Sequence, residues 1–500
     1  SGHANIAGIM ALVSRMFRLL APVLLFLGLA SCVTNPVSGT PDLVFMSEAQ
    51  EISLGRQNDP KIRQQYGVYD DPKLQAYVQR VGERLAKQSH RPHLKYTFTV
   101  LDGDEVNAFA LPGGYIYITR GIMAYIQNEA ELAAVLGHEI GHVTARHGVN
   151  QYTRAMTAQI GAGILSQVVP GLGNQIGQEL INVIGNALLS GYGREDELQA
   201  DRLGAEYITR NGYDPEAVIG VVSILKNQEE FEKKRAAAEN REPRVYHGVF
   251  ASHPSADDRL QQAVAEARKF KTGATTQLAR DDYHKHLEGV VFGDSPRAGV
   301  RRGASFYHRD LNFAVDFPAG WKIANQPKAV VATAPDQAAR LDLSAADIGK
   351  ANHPREFIDT RLKTGDLARE GKVEGSKLTS HTGVAHINTP FGKRDTRVSV
   401  LFHGPKAFVL FGTTKDAGQL DRYDAQFLTT AKSLRPLSEP DKKLAEGLRL
   451  RIKQAAAGDS FAALAKKSPL SQHSESILRL INARFPEGEP RTGELIRVIE

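Results

Sequence analysis

His138-Glu139-Ile140-Gly141-His142, set within NEAELAAVLGHEIGHVTARHGV (residues 128–149), is the stretch that anchors this chain. Residues four apart share one face of a helix, so His138 and His142 can turn imidazole nitrogens toward one metal ion while Glu139 reaches a water beside it. Leu132, Val135, Leu136, Ile140 and Val143 recur at helical spacing with no proline between them, which predicts one continuous, buried helix over the stretch. Gly137 and Gly141 flank the ligands, and each lowers helix stability by about 1 kcal/mol relative to alanine. Two uses account for that cost: close packing against a neighbouring element, or room for the metal.

A catalytic zinc takes three protein ligands and leaves a fourth position to water. A glycine three residues and a histidine six residues after His142 would complete the set locally, but those positions hold Ala145 and Gly148, and His147 is one residue out of phase. The other common solution is a glutamate from a second helix, and YGREDELQADRLGAEY (residues 192–207) offers one. Glu197 and Asp201 are four apart and share a face, so Glu197 can ligate zinc while Asp201 hydrogen-bonds the far nitrogen of a ligating histidine. Glu195 and Asp196 lie on other faces and are expected in solvent.

The run NAFALPGGYIYITRG (residues 107–121), then HEIGHVTARH, ELQADRLG, and Ser252-His253-Pro254 with Arg259, resembles the periplasmic BepA-like metallopeptidases, relatives of HtpX and the CAAX prenyl protease. The similarity runs from Ser47 to Ala267. It implies one Zn2+ per chain on His138, His142 and Glu197, with Glu139 as the base and Asp201 in support. It also implies a mostly helical, gluzincin-type peptidase domain with a small edge-strand sheet. His253 resembles a gate or fourth ligand that keeps the enzyme latent, with capping of a turn before Ala256 as its alternative. Donors to the oxyanion besides the metal are His247, His253, Arg259 and Tyr192, among which sequence does not choose. In the family's fold the strand Tyr115 to Thr119 borders the cleft as an edge on which an extended substrate can pair, with Asn107, Phe109, Tyr115 and Tyr117 as substrate-binding residues. For Phe109, core packing is an equally good reading.

Arg15 and Arg18 precede the apolar run Leu19 to Ala30, and Leu29-Ala30-Ser31-Cys32 follows, the pattern of a secretory signal. The ending resembles a bacterial lipobox, with Cys32 as the lipidated residue, and Val33 after it resembles lipoproteins sorted to the outer membrane. The expected address is therefore the periplasm, anchored to the outer membrane. Cys32 is the only cysteine, so stability must come from the core rather than from disulfides. Between the two metal helices, Arg154 and Glu179 are the only charged residues from Thr153 to Tyr192, and Pro170 to Gly173 split two apolar halves. Two helices and a turn are expected there, covering the cleft, meeting a partner, or forming a core hairpin. Neither half reaches the roughly 20 apolar residues a membrane span needs.

The chain of 500 residues suggests about three domains. We read an α+β organisation: signal peptide 1–31, lipidated linker 32–46, zinc metallopeptidase domain 47–270, linker 271–302, α+β domain 303–437 and a LysM-like module 445–500. In the linker, His284 and His286 are expected to be exposed. In the α+β domain, FAVDF (313–317), RVSVLF (397–402) and AFVLFG (407–412) read as strands and Pro354 to Leu367 as helical. LysM modules bind glycan, which makes peptidoglycan a candidate ligand. The net charge of +6 is dispersed, which suits anionic lipid or cell wall and excludes a nucleic-acid patch. Two functions compete: a lipid-anchored endopeptidase acting on unfolded or misassembled envelope proteins, and an assembly factor or chaperone-like protein whose zinc site is largely latent.

Overall fold

Ser47 opens the leading helix, Glu48–Tyr66, with a reciprocal cap: its hydroxyl accepts from Gln50 N–H while the Gln50 side chain accepts from Ser47 N–H. Helix Pro72–Lys87 follows behind an Asp71 cap and buries Leu74, Tyr77, Val78, Val81 and Leu85 along one stripe. The computed structural model describes residues 31–39, 41–44, 46–154, 192–239, 242–243, 261, 264–270, 278–326, 328–470 and 472–500. The chain divides into two compact units, residues 1–290 with 450–499, and residues 291–449 with 500. Residues 1–30 and 155–191, which hold the predicted signal and the predicted helical hairpin, lie outside the described residues. The backbone of Cys32 falls in strand Ser31–Thr34, antiparallel to Pro41–Val44. No helix among the described residues is long and apolar enough to cross a membrane.

The strand expected to form an edge, Tyr115–Thr119, is instead the central one of three. It runs parallel to Thr97–Leu101 and antiparallel to Ala108–Leu111. The Pro112-Gly113-Gly114 turn folds Ala108–Leu111 back on one side, and only Tyr115 keeps partial exposure along a strand buried at its other four positions. A strand apolar on both faces belongs inside a sheet. The edges are Ala108–Leu111 and Thr97–Leu101.

Helix Glu129–Thr144 carries the zinc motif behind an Asn128 cap, and every residue of it is buried. Sequence predicts that it continues to Val149, but it stops at Thr144 and helical structure resumes at His147, across a turn in which Arg146 takes a φ of 59°. The cause is distant in sequence. Arg146 Nε donates to Glu51 Oε2 at 3.0 Å and its Nη2 to the Met46 carbonyl at 2.9 Å. Arg91 Nη1 donates to Glu51 Oε1 at 2.8 Å and takes the Val143 carbonyl at 2.9 Å, one of the acceptors a helix end leaves open. Helix Arg194–Arg210 packs across the motif. A Cβ on Gly141 would stand 3.1 Å from the Ala200 Cα, and one on Gly137 would stand 3.2 Å from the Gly204 carbonyl oxygen. Close helix packing, rather than space for a metal, explains these glycines.

The first unit is completed from the other end of the chain. Strand Leu448–Gln454 pairs antiparallel with Leu495–Ile499, and helices Phe461–Ala465 and Ser474–Ile481 lie between them in sequence. Arg497 is fully buried and donates from Nη1 to the carbonyls of Ala124 (2.8 Å) and Ile481 (3.0 Å), while Gln127 Nε2 donates to the Ile481 carbonyl at 3.1 Å. The stretch expected as a linker holds helix Arg280–Leu287, whose Tyr283 hydroxyl donates to the Met123 carbonyl at 2.7 Å. His284 is therefore not exposed: it is 2% accessible, with Nε2 3.3 Å from Arg497 Nη2, and His286 stacks on Tyr77 at 3.9 Å. Tyr283, His284 and Leu287 form the face this helix buries.

Glu131, in the first turn of the motif helix, accepts from Gln127 N–H at 2.7 Å. Burial pushes its carboxyl up to about 7, although the Gln127 N–H, Arg497 and Arg280 favour the charged form. Between the ordinary value of 4.5 and about 7, the folded state holds a proton that the unfolded chain has released. Stability from this group is full below 4.5 and is lost as pH rises through about 7. Urea denaturation should show Glu131 lowering stability by on the order of 2 kcal/mol between pH 5 and pH 8, a slope that Glu131→Gln removes. Equal pH slopes in the two proteins would refute this.

The second unit is built on a seven-stranded antiparallel sheet in the order Lys322–Gln326, Ala329–Thr333, Ala339–Asp347, Lys406–Thr414, Gly392–His403, Thr379–Thr389, Ala368–Gly371. Trp321, Leu341, Phe408, Leu410 and Phe427 pack in one core, to which helix Leu420–Ser433 contributes Phe427. Phe357 and Ile358 pack with Val398, Val400 and Val409 in a second. Phe313–Asp316 joins a separate three-stranded sheet. The helical stretch expected from Pro354 to Leu367 ends at Leu362.

Candidate metal centre

Helical spacing and a helix crossing bring the three expected ligands together. His138 Nε2 and His142 Nε2 are 2.9 Å apart, and Glu197, from the first turn of Arg194–Arg210, places Oε2 3.4 Å from His138 Nε2 and Oε1 3.9 Å from His142 Nε2. A tetrahedral ion with bonds of about 2.0 Å spaces its ligands by about 3.3 Å, within this spread. All three residues are buried, and Glu197 Oε2 makes no hydrogen bond. A carboxylate at a helix N-terminus also gains from the aligned backbone dipoles.

Asp201 Oδ1 lies 2.9 Å from His138 Nδ1. Burial works against a charged His138 ring, but the Asp201 hydrogen bond and the nearby carboxylates of Asp201 and Glu197 more than offset it and hold the group up at about 10. Burial, reinforced by the neighbouring imidazoles of His138 and His147, holds His142 well below its ordinary value. Two carboxylates, Glu197 and Asp201, therefore face the paired histidines. A divalent ion among the three donors answers that field and supplies a partner to the unbonded Glu197 oxygen, so the residues fit zinc.

Glu139 is 2% exposed, and burial pushes its carboxyl up to about 7, with His138 opposing and Glu197 reinforcing the rise. A base with an affinity for protons near neutrality is suited to taking one from water and giving it back. The Tyr192 ring stacks on His142, with centroids 4.1 Å apart at 22°, and its backbone N–H donates to Glu197 Oε1 at 3.3 Å. Leu111, Pro112, Val149 and Tyr192 line a small cavity against His142.

The expected substrate-binding residues divide. Asn107 is tied to Thr119: Thr119 N–H donates to the Asn107 carbonyl at 3.0 Å and Asn107 N–H donates to Thr119 Oγ1 at 3.2 Å. Phe109 and Tyr117 are buried and stacked at 5.0 Å, and the Tyr117 hydroxyl donates to Asp59 at 2.7 Å, so both face the leading helix. Tyr115 is half-buried beside Gly55. His247, His253 and Arg259 lie outside the described residues. Sequence reasoning passed over His147, whose Nδ1 stands 2.8 Å from His142 Nδ1, and placed Asp196 in solvent, whereas its Oδ1 approaches His147 Nε2 to 3.8 Å. The signal in the sequence is a histidine one turn past the motif, which an unbroken helix would turn away from His142.

Residues 72–267 match the model of Peptidase family M48. The chain is similar to the Beta-barrel assembly-enhancing protease of Escherichia coli (strain K12), 29% identical over 264 residues that cover 51% of each chain. It is also similar to the Mitochondrial metalloendopeptidase OMA1 of Arabidopsis thaliana, 29% identical over 190 residues and 38% of each chain. The protein of that name from Schizosaccharomyces pombe is 34% identical over 143 residues, 28% of this chain and 41% of the relative. The matched region spans about half the length of the bacterial relative.

Proposed function

We propose that this chain, whose residues 72–267 carry a Peptidase family M48 domain, is a zinc metalloendopeptidase that hydrolyses unfolded or misassembled envelope proteins, outer-membrane β-barrels among them. The observation that carries the reading is the convergence of His138, His142 and Glu197 beside the buried carboxyl of Glu139. When bound, zinc polarises the scissile carbonyl and makes water acidic enough to attack near neutral pH. Glu139 takes the proton from the attacking water and delivers it to the leaving amine. Asp201 holds the His138 ring in the orientation that aims Nε2 at the site. An extended substrate pairs along Ala108–Leu111, the edge strand that packs against the motif helix. His253 and Arg259 serve as gate and oxyanion donor in this reading.

Lipidation at Cys32 anchors the chain to the outer membrane, facing the periplasm, a reading supported by Arg15, Arg18 and the apolar run before Leu29-Ala30-Ser31-Cys32. The strand–helix–helix–strand segment closing the chain is the part that would take peptidoglycan. A second reading, an assembly factor with a latent zinc site, draws support from the Tyr192 ring lying on His142 and from the burial of all three ligands.

The test is zinc content together with cleavage of an unfolded β-barrel protein by the purified chain. One zinc per chain, cleavage, loss of cleavage with a chelator and recovery on adding zinc are expected. Full zinc occupancy without cleavage, combined with faster barrel assembly, would replace the peptidase by the assembly factor.

A further inference from the structure

His142 and His138 are oriented by different means. His138 has the carboxylate of Asp201 on its far nitrogen, as zinc-ligating histidines commonly do. The far nitrogen of His142 meets another histidine: Nδ1 to Nδ1 is 2.8 Å, and the rings meet edge-on at 72° rather than stacked. On its other side His147 places Nε2 2.9 Å from Gln199 Oε1, with Asp196 Oδ1 3.8 Å away. Both neighbours of Nε2 are acceptors, so Nε2 carries the proton and a neutral His147 presents a bare Nδ1. That nitrogen can only accept, so His142 Nδ1 must donate. The lone pair of His142 then sits on Nε2, which faces His138 and Glu197.

We infer that His147 is a positioning residue for the metal ligand His142, fixing its tautomer and ring orientation through a hydrogen-bond chain that runs from Gln199 through His147 to His142. An unbroken helix would put His147 about 140° around the axis from His142, out of reach. The turn at Arg146 brings it back, and Arg146 is held there by Glu51 and the Met46 carbonyl. The helix break is therefore part of the metal centre. His147 is 1% exposed, so solvent does not substitute for it. This inference rests on the zinc reading of the site.

The test compares zinc affinity, by chelator competition, and the visible spectrum of the cobalt-loaded chain for wild type, His147→Ala, His147→Asn and Gln199→Ala. Asparagine places Oδ1 where histidine has Nδ1, so it restores the acceptor without the ring. His147→Ala should weaken zinc binding by about 10–100-fold and shift the cobalt bands, and His147→Asn should recover most of both. Gln199→Ala leaves the packing of His147 intact and should weaken binding by a smaller factor. Alanine binding zinc as tightly as wild type, or asparagine failing as badly as alanine while Gln199→Ala has no effect, would reduce His147 to a packing residue. A wild-type chain that takes up no zinc would overturn the metal-centre reading itself, whereas tight zinc in wild type and in His147→Ala overturns this inference alone.

Discussion

Glu139→Gln is expected to leave zinc bound and to lower turnover of an unfolded β-barrel substrate by about 10²–10⁴-fold, the range for losing a positioned proton carrier. The amide has the shape of the carboxylate and cannot take a proton from water. Zinc should stay because Glu139 is outside the group formed by His138, His142 and Glu197. The variant should also fold at least as well as wild type. Burial already disfavours the charge on Glu139, raising it to about 7, so removing that charge relieves a cost. Zinc content, thermal unfolding and turnover measured on the same preparation separate these effects. Turnover equal to wild type would remove Glu139 from the chemistry, and loss of zinc with loss of turnover would make it a ligand or a structural group.

Glu51→Ala is expected to cost about 3–5 kcal/mol, a large part of the roughly 5–15 kcal/mol that holds a folded domain together. Its carboxylate is 1% exposed and bonds Arg91 and Arg146, themselves 1% and 2% exposed. Removing it takes the buried anion from both guanidinium groups, leaving Arg91 the partly exposed Glu48 and Arg146 the Met46 carbonyl, and Arg146 sets the turn after the motif helix. Glu48 bonds the same Arg91 but is 44% exposed, so Glu48→Ala should cost no more than about 1 kcal/mol. Chemical denaturation of the full chain followed by circular dichroism compares the pair. Equal shifts would mean that solvent reaches the network. Because Arg146 delivers His147, Glu51→Ala should also weaken zinc binding in whatever fraction stays folded.

The zinc ligands are legible in the sequence because their arrangement is local. The four-residue spacings of His138 with His142 and of Glu197 with Asp201 are helical periods, and a helix forms from contacts within a few residues. Glu197 follows from what zinc requires once the motif segment fails to supply a third ligand. The strands Phe313–Asp316, Gly392–His403 and Lys406–Thr414 are legible for the same reason, since alternation is a property of the strand itself.

What the sequence leaves hidden depends on partners far along the chain. The helix break at Arg146 is imposed by Glu51, 95 residues away. His284 is buried because Arg497, 213 residues later, comes to lie beside it. Strand order is likewise invisible locally: YIYIT looks the same whether it closes a sheet or lies inside one, and only its two neighbours decide. Sequence by itself pointed to the metal, to the group of His138, His142 and Glu197 that the fold brings together, and to Glu139 as the proposed base, because those follow from side-chain chemistry at helical spacing. Tertiary structure decided how the two histidines are oriented, which strand lies inside the three-stranded sheet, and that residues 450–499 belong to the first unit. Each of these rests on a hydrogen bond or a packing contact between segments that no local pattern connects.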